Sequence, residues 1–281
     1  MYQPSDLMNG ETVRTVQHGP GAGLVGQLVV LAGLHAAIGL DPAGWVVGIG
    51  CGLITTACLA SGLAKYGASS LGPADLVTLF RATLVGGVAA LTVDSVGASR
   101  PSRELVWTLV AMTAVALVLD RVDGQVARRT RTTSELGARF DMEVDALLIL
   151  ALSVHVSQST GPWILLIGAA RYLRLLAALP LPWMRREAPP RYWGKVVAAT
   201  QGVVLTVAAA GVLPAIVSGA ALGLALGLLA ESFGREVRWL WRQHRRVVAQ
   251  ETTQHQVQPV ASAALARDRV VAAPGVEGVA A

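Results

Sequence analysis

Long apolar segments separated by short polar ones occupy most of the chain. Residues 19–40 and 42–64 contain no Asp, Glu, Lys or Arg, and each is long enough for a helix to cross the roughly 30 Å hydrocarbon core of a bilayer. Further apolar segments follow at 76–93, 104–119, 137–156, 162–180, 196–213 and 215–230. The pattern predicts an all-α fold, a polytopic membrane helix bundle with eight spans.

Composition supports the membrane assignment. Hydrophobic residues make up 53% of the 281 residues and charged residues only 15%, whereas about a quarter of the residues of a soluble domain are charged. Residues 1–18 lack a basic region followed by a short apolar core, so they do not predict a cleavable secretory signal. Cys51 and Cys58 lie within the second predicted span, and we interpret both as packing residues.

Basic residues predict the orientation, because cytoplasmic loops of membrane proteins are enriched in Lys and Arg. With the N-terminus inside and eight spans, only Arg100 and Arg103 fall on the outer side. Both termini are then cytoplasmic. The net charge of +5 lies at a surface where it suits anionic lipid and phosphate, and no nucleic-acid partner is predicted.

The two ends differ from the apolar centre. Residues 1–18 and 248–281 predict mobile or disordered tails, because they are polar or lack helical periodicity. Residues 232–247, "SFGREVRWLWRQHRRV", place Trp239 and Trp241 among arginines. This segment predicts a basic interfacial helix in the headgroup layer.

Four aspartates lie beside or within apolar segments. Asp120 and Asp123 are three residues apart at the end of the fourth predicted span, and Asp141 and Asp145 are four apart near the start of the fifth. Each pair shares a helix face. Because the connection is short, the two helices are expected to be antiparallel neighbours. The four carboxylates are then expected to converge at the cytoplasmic boundary, where the active site would lie.

Ionised carboxylates in this setting are costly unless they are paired. Oxygen ligands without His or Cys favour Mg²⁺, Mn²⁺ or Ca²⁺ over zinc. Gly124 leaves room for a substrate beside the backbone, and Arg128 follows one turn later. Residues 132–135, "TTSE", have the spacing of a capping box, so we give Glu135 a structural role.

The same stretch resembles the signature of the CDP-alcohol phosphotransferase family. The matching residues, in the family's spacing, are Asp120, Asp123, Gly124, Ala127, Arg128, Gly137, Asp141 and Asp145. The resemblance covers a six-helix catalytic core, residues 67–231, and leaves residues 19–66 as two additional N-terminal helices.

The resemblance implies an enzyme that displaces CMP from a CDP-linked donor, usually CDP-diacylglycerol, with an alcohol hydroxyl. It further implies that Asp120, Asp123 and Asp141 bind two metal ions, Mg²⁺ or Mn²⁺, in a cluster that Asp145 completes as the general base. The CDP moiety is then contacted by Gly124, Ala127 and Arg128. A homodimer is also implied.

Upstream, "GPADLVTLFRATLVGG" resembles the family's Asn-x-x-Thr-x-x-Arg entry into the first core helix. Thr78 and Arg81 match this pattern, and the resemblance makes them candidate CDP-binding residues. Asp75 replaces the usual Asn and loses its amide donor. Thr78 is equally interpretable as a hydroxyl bonded within its own helix.

Downstream, "GAARYLRLL" and "RYWGKVVAATQG" partly resemble the phosphatidylglycerophosphate synthase branch. Lys195 and Gln201 match it, whereas Val197 and Ala198 replace a Lys and a Thr. Arginines within an apolar span are costly unless they face a wet pocket. We interpret Arg171, Arg174 and Lys195 as acceptor-binding residues, with snorkelling or pairing with the aspartates as alternatives for the arginines.

Two functions remain open from the sequence. The first is a membrane phosphatidyltransferase that makes a phospholipid from CDP-diacylglycerol and a small alcohol, either phosphorylated, such as glycerol 3-phosphate or an inositol phosphate, or neutral. The alternative is a non-enzymatic divalent-cation carrier or channel. The fixed spacing of Gly124, Ala127 and Arg128 favours the enzyme, because a carrier has no evident need for it.

Overall fold

The computed structural model describes residues 19–66, 73–98, 101–130, 135–186 and 192–271. Within them the chain forms eight α-helices, and the all-α class is confirmed. The helices are α1 (Gly19–Ile38), α2 (Pro42–Tyr66), α3 (Pro73–Gly97), α4 (Arg103–Thr130), α5 (Glu135–Thr160), α6 (Leu165–Ala177), α7 (Tyr192–Ala209) and α8 (Ala215–Val271). Short 3-10 helices at Pro162–Ile164 and Pro182–Arg185 flank α6.

The helices fall where the eight apolar segments predicted them, and the polytopic membrane architecture is confirmed. Five of the described helices are long and apolar enough to cross a membrane, and a shorter apolar helix lies at Trp193–Ala209. The five candidate spans are Gly21–Ile38, Pro42–Ser61, Leu76–Gly97, Arg103–Val122 and Ala215–Val247. Of the other predicted spans, α5 carries four acidic residues in its first half, and α6 has only 13 residues.

Helix α3 lies at the centre of the packing. It contacts α1, α2, α4 and α5, and most of its apolar span is buried, unlike the other four candidate spans. Val85, Val88 and Leu91 on this helix are completely inaccessible to solvent. Side chains on α3 are therefore held by several neighbouring helices at once.

The two N-terminal helices pack directly against α3. Gln27 of α1 is buried against Gly86 of α3 and Gly52 of α2, where a Cβ would collide with its side chain. Near the other end of α3, Asp94 Oδ2 accepts a hydrogen bond from the Asp41 backbone N–H, 2.9 Å away, just before α2 begins. Helices α1 and α2 are thus joined to α3 by close packing and by a polar contact.

The chain divides into two compact units. The first comprises Met1–Leu173 and Tyr192–Ala230, and the second comprises Arg174–Arg191 and Glu231–Ala281. Within the first unit, Gln201 Nε2 on α7 donates a 2.8 Å hydrogen bond to the Ala225 carbonyl on α8. This buried contact joins the last two helices of that unit.

Helix α8 is longer than the sequence analysis predicts. It runs without interruption from Ala215 to Val271, through the predicted interfacial segment and into the part for which a disordered tail is predicted from residue 248. The apolar segment ends near residue 230 and the basic segment near residue 247, but Ala, Gln and Arg, which are good helix formers, continue beyond them. The difference arises because loss of hydrophobic periodicity does not remove helix propensity.

Helices α5 and α6 approach each other closely at Gly168. A Cβ at this position would lie 2.8 Å from the Leu150 Cα and 2.9 Å from the Ser153 Cβ. Backbone atoms of a packed helix cannot move aside without shifting the whole helix. Glycine at this position therefore determines how closely α6 packs on α5.

We expect Gly168→Ala to lower the thermal unfolding midpoint of the detergent-solubilised protein, because overpacking of a close contact costs roughly 1–3 kcal/mol. The matched control is Gly50→Ala, where a Cβ meets no atom within 4 Å and alanine favours the helix. An equal effect of the two substitutions would contradict the close approach of α5 and α6.

Candidate active site

Three of the four predicted metal ligands converge. Asp120 lies on α4, and Asp141 and Asp145 lie on α5; one carboxylate oxygen of each lies within 4.8 Å of the other two. Their side chains are 37%, 34% and 47% exposed, respectively. The three carboxylates are thus close together and open to solvent.

The position of the acids on α5 follows from its buried face. Phe140, Val144 and Leu148 recur every four residues and are buried in the hydrophobic core. Asp141 and Asp145 follow the first two of these residues directly, so they lie about 100° further round the helix. Burial of the apolar side chains therefore fixes the direction in which the two carboxylates point.

A buried arginine on α3 pairs with all three carboxylates. The Arg81 side chain is only 1% exposed. Its Nη1 donates to Asp120 Oδ1 at 2.6 Å, and its Nη2 donates to Asp145 Oδ1 at 3.1 Å and to Asp141 Oδ1. The same Nη2 lies 3.3 Å from the Asp141 backbone carbonyl. One guanidinium therefore partly neutralises three carboxylates from two other helices.

The remaining candidate CDP-binding residues lie on the same helices. Thr78 is buried one turn before Arg81 on α3, and Gly124 is half-buried one turn after Asp120 on α4. The side chains of Asp123, Ala127 and Arg128 lie outside those that the structure describes. Thr78 and Gly124 are therefore near the carboxylate cluster along their helices.

The two candidate acceptor-binding arginines pair with glutamates, whereas the sequence analysis considered pairing with the aspartates. In the first unit, Arg171 on α6 makes a two-pronged contact with Glu143 on α5, through Nε to Oε2 at 3.4 Å and through Nη2 to Oε1. In the second unit, Arg174 Nη2 lies 2.9 Å from Glu236 Oε1. Lys195 is exposed on the first turn of α7.

Two features of this site were not predicted from the sequence. The pairing of Arg81 with the aspartates was missed, because the sequence does not show how α3 is placed against α4 and α5. The partner of Arg171 was also missed. Glu143 lies two residues from both Asp141 and Asp145, so it projects from the opposite face of α5. This spacing is the sequence signal that Glu143 has a partner different from that of the two aspartates.

Comparison with known protein families agrees with this geometry. The family model described as CDP-alcohol phosphatidyltransferase matches residues 72–230, which include α3, α4, α5 and the three converging carboxylates. The chain belongs to the CDP-alcohol phosphatidyltransferase family. Comparisons with curated proteins and with solved structures gave no match.

Membership in this family indicates a transferase that acts on CDP-alcohol substrates in phospholipid biosynthesis, in a membrane setting. The family is generally dependent on divalent metals. The residues present fit such ions, because carboxylate oxygens are the ligands that hard divalent cations prefer and three of them lie within reach of a common centre.

Arg81 and a divalent cation would compete for the same carboxylates, and this gives a prediction. We expect Arg81→Ala to lower the thermal midpoint without metal, because three neighbouring carboxylates lose their buried counter-ion. We also expect Mn²⁺ to raise the midpoint more in this variant than in the wild type. The measurement is a thermal shift in chelator and in Mn²⁺.

The matched control is Arg121→Ala, which removes an exposed arginine next to Asp120 on the same helix. It should leave both midpoints close to those of the wild type. If the Mn²⁺-induced shift were the same for Arg81→Ala and the wild type, competition between the guanidinium and the cation would be excluded.

Proposed function

We propose that the protein is a divalent-metal-dependent phosphatidyltransferase that uses CDP-diacylglycerol and an alcohol to make a phospholipid. The observation that carries the proposal is the convergence of Asp120, Asp141 and Asp145 within the segment that matches the family. The proposal includes a cytoplasmic active site, cytoplasmic termini and a homodimer, for which the support is the charge distribution and the family resemblance.

In the proposed reaction, the acceptor hydroxyl oxygen forms a bond to the phosphorus that carries diacylglycerol. The bond from that phosphorus to the oxygen of CMP breaks, and CMP leaves with the electron pair. The hydroxyl proton passes to a carboxylate. Two bound Mg²⁺ or Mn²⁺ ions would neutralise the diphosphate and hold the attacking and leaving oxygens.

We assign the metal ligands to Asp120, Asp123, Asp141 and Asp145. Asp145 is also the proposed general base that accepts the proton of the hydroxyl, a role that typically contributes about 10²–10⁴ in rate. Its side chain is the most exposed of the three described, at 47%, and it lies one turn further along α5 than Asp141. An acceptor arriving from water therefore has better access to Asp145 than to Asp141.

We propose that the CDP moiety is bound by Thr78, Arg81, Gly124, Ala127 and Arg128, together with the metal-binding Asp120 and Asp123. Arg81 supplies a buried guanidinium whose N–H groups can donate either to the carboxylates or to phosphate oxygens of the donor. A planar guanidinium matches the geometry of both groups. Gly124 leaves the backbone of α4 accessible next to the cluster.

For the acceptor we assign Arg171, Arg174 and Lys195, with glycerol 3-phosphate or an inositol phosphate as the first candidates. Arg171 and Glu143 are 27% and 49% exposed, and an ion pair in contact with water typically contributes about 0–1 kcal/mol. Arg171 can therefore leave Glu143 at little cost. The assignment requires this, because Glu143 lies on the opposite face of α5 from Asp145. A neutral alcohol needs no such change, so both acceptor classes belong in the test.

The proposal predicts CMP release when the purified protein is incubated with CDP-diacylglycerol, Mn²⁺ and a panel of phosphorylated and neutral alcohols. At least one acceptor should give CMP release that requires the metal. The alternative function is a divalent-cation carrier or channel. Absence of release with every acceptor, together with metal flux into liposomes containing the protein, would favour that alternative.

A substitution tests the role of Asp145. We expect Asp145→Asn to reduce turnover by at least about 10²-fold, because the amide cannot accept the hydroxyl proton, while metal binding remains largely intact. Turnover is measured by CMP release and metal binding by the Mn²⁺-induced thermal shift. The control is Glu104→Gln, an exposed acid in the first turn of α4, at the opposite end from Asp120.

Equal loss of turnover and of Mn²⁺ binding in Asp145→Asn would mean that Asp145 acts mainly as a metal ligand. Wild-type turnover in this variant would remove it from the chemistry altogether.

A further inference from the structure

An exposed stripe of arginines follows one side of α8 in the second unit. With 3.6 residues per turn, its members lie within an arc of about 100° around the helix axis, over a length of about 16 Å. The stripe consists of Arg235, Arg238, Arg242, Arg245 and Arg246, all exposed. Positive charge is therefore concentrated on one side of this part of α8.

Contacts on the opposite side of α8 fix the direction of the stripe. Leu240 is buried, and the His244 ring stacks on Trp183, with ring centroids 6.1 Å apart and an interplanar angle of 14°. Glu236, on the same side, pairs with Arg174. Because α8 cannot rotate without breaking these contacts, the arginine stripe faces away from Trp183 and Arg174 of the second unit.

Most of the positive charge of the stripe has no acidic partner among the side chains that the structure describes. Glu231 pairs with Arg235, and Arg238 Nε donates to the Gly234 carbonyl, a neutral group. The guanidinium of Arg245 lies 5.0 Å from the ring centroid of Trp241, which is 47% exposed. By position on the helix, Trp241 borders one edge of the stripe and Trp239 borders the other.

We propose that the arginine stripe, with Trp241 at its edge, binds the headgroups of anionic phospholipids. Guanidinium groups match phosphate geometry, and tryptophan favours the boundary between headgroups and hydrocarbon. The stripe also follows the apolar segment 215–230 along α8, and it lies in the C-terminal part of the candidate membrane span Ala215–Val247. The orientation of a membrane protein depends on the number of basic residues near a span and not on the side of the helix that they occupy. The arrangement of these arginines on one side of α8, between two tryptophans, is instead suited to binding a lipid surface.

This surface is independent of the proposed reaction, because none of its residues belongs to the metal, CDP or acceptor assignments. A protein with an inactive site should therefore retain lipid binding, and loss of lipid binding leaves the chemical assignments standing.

The test uses the full-length protein in lipid nanodiscs and the fluorescence of Trp241, isolated as the difference between the wild type and Trp241→Phe. The quencher is either phosphatidylglycerol or phosphatidylcholine, brominated near the top of the acyl chains and used at the same fraction. We expect the anionic lipid to quench Trp241 at least about twofold more strongly, because several arginines attract its headgroup.

The triple substitution Arg242→Gln, Arg245→Gln and Arg246→Gln should abolish this preference. The matched triple Arg→Lys variant at these three positions retains the charge and should keep most of it. A second measurement counts the anionic phospholipids that remain bound per protein after detergent exchange, and this number should fall in the Gln variant and not in the Lys variant.

Equal quenching of wild-type Trp241 by the two lipids would overturn the proposal. It would also be overturned if millimolar inorganic phosphate or CMP removed the preference, because the stripe would then be a site for soluble phosphates. Unchanged lipid retention in the Gln variant would count against it in the same way.

Discussion

The pairing of Arg81 with three carboxylates is the interaction on which the rest of the site depends. A guanidinium buried in the centre of a helix bundle is costly unless it is paired and hydrogen-bonded. Three carboxylates within 4.8 Å of one another repel unless a cation lies between them. The carboxylates supply the partners that the buried guanidinium needs, and the guanidinium reduces the repulsion between the carboxylates. This pairing requires α3, α4 and α5 to meet at one point. The same contact therefore holds the three helices together and assembles the site.

Helix α3 needs support along its whole length for this contact to be maintained. Arg81 joins it to α4 and α5 near its start, and Asp94, about 20 Å further along the helix, joins it to the start of α2. Between them, Gly86 gives Gln27 of α1 room to pack against the helix. Although α1 and α2 lie outside the segment that matches the family, they cover one side of the helix that carries Arg81. Helices α1 and α2 therefore help to hold α3 in its position in the bundle.

The sequence was informative where the physics is local. The spacing of Asp120, Asp141 and Asp145, together with a short connection, was enough to predict that they converge, because helix periodicity determines which side chains share a face. It was not informative about the contact of α3 with these acids, which depends on packing between segments distant along the chain. The Arg171 pair shows the same limit, since Glu143 was near the motif but on the other face. The end of α8 differs from the prediction for another reason. Loss of hydrophobic periodicity predicted the end of the helix near residue 247, but residues with high helix propensity continue the helix to Val271.

Two of the arginines assigned to the substrates, Arg81 and Arg171, are paired with carboxylates of the protein, but the two arginines differ in burial. Arg171 and Glu143 are in contact with water, so Arg171 can leave the glutamate at a small cost. Arg81 is 1% exposed, and releasing its carboxylates without another cation would leave several charges close together and unpaired. The availability of Arg81 to the donor is therefore coupled to cation binding by the aspartates. In the proposed reaction this coupling links donor recognition to the presence of the metal, whereas acceptor recognition at Arg171 has no such requirement.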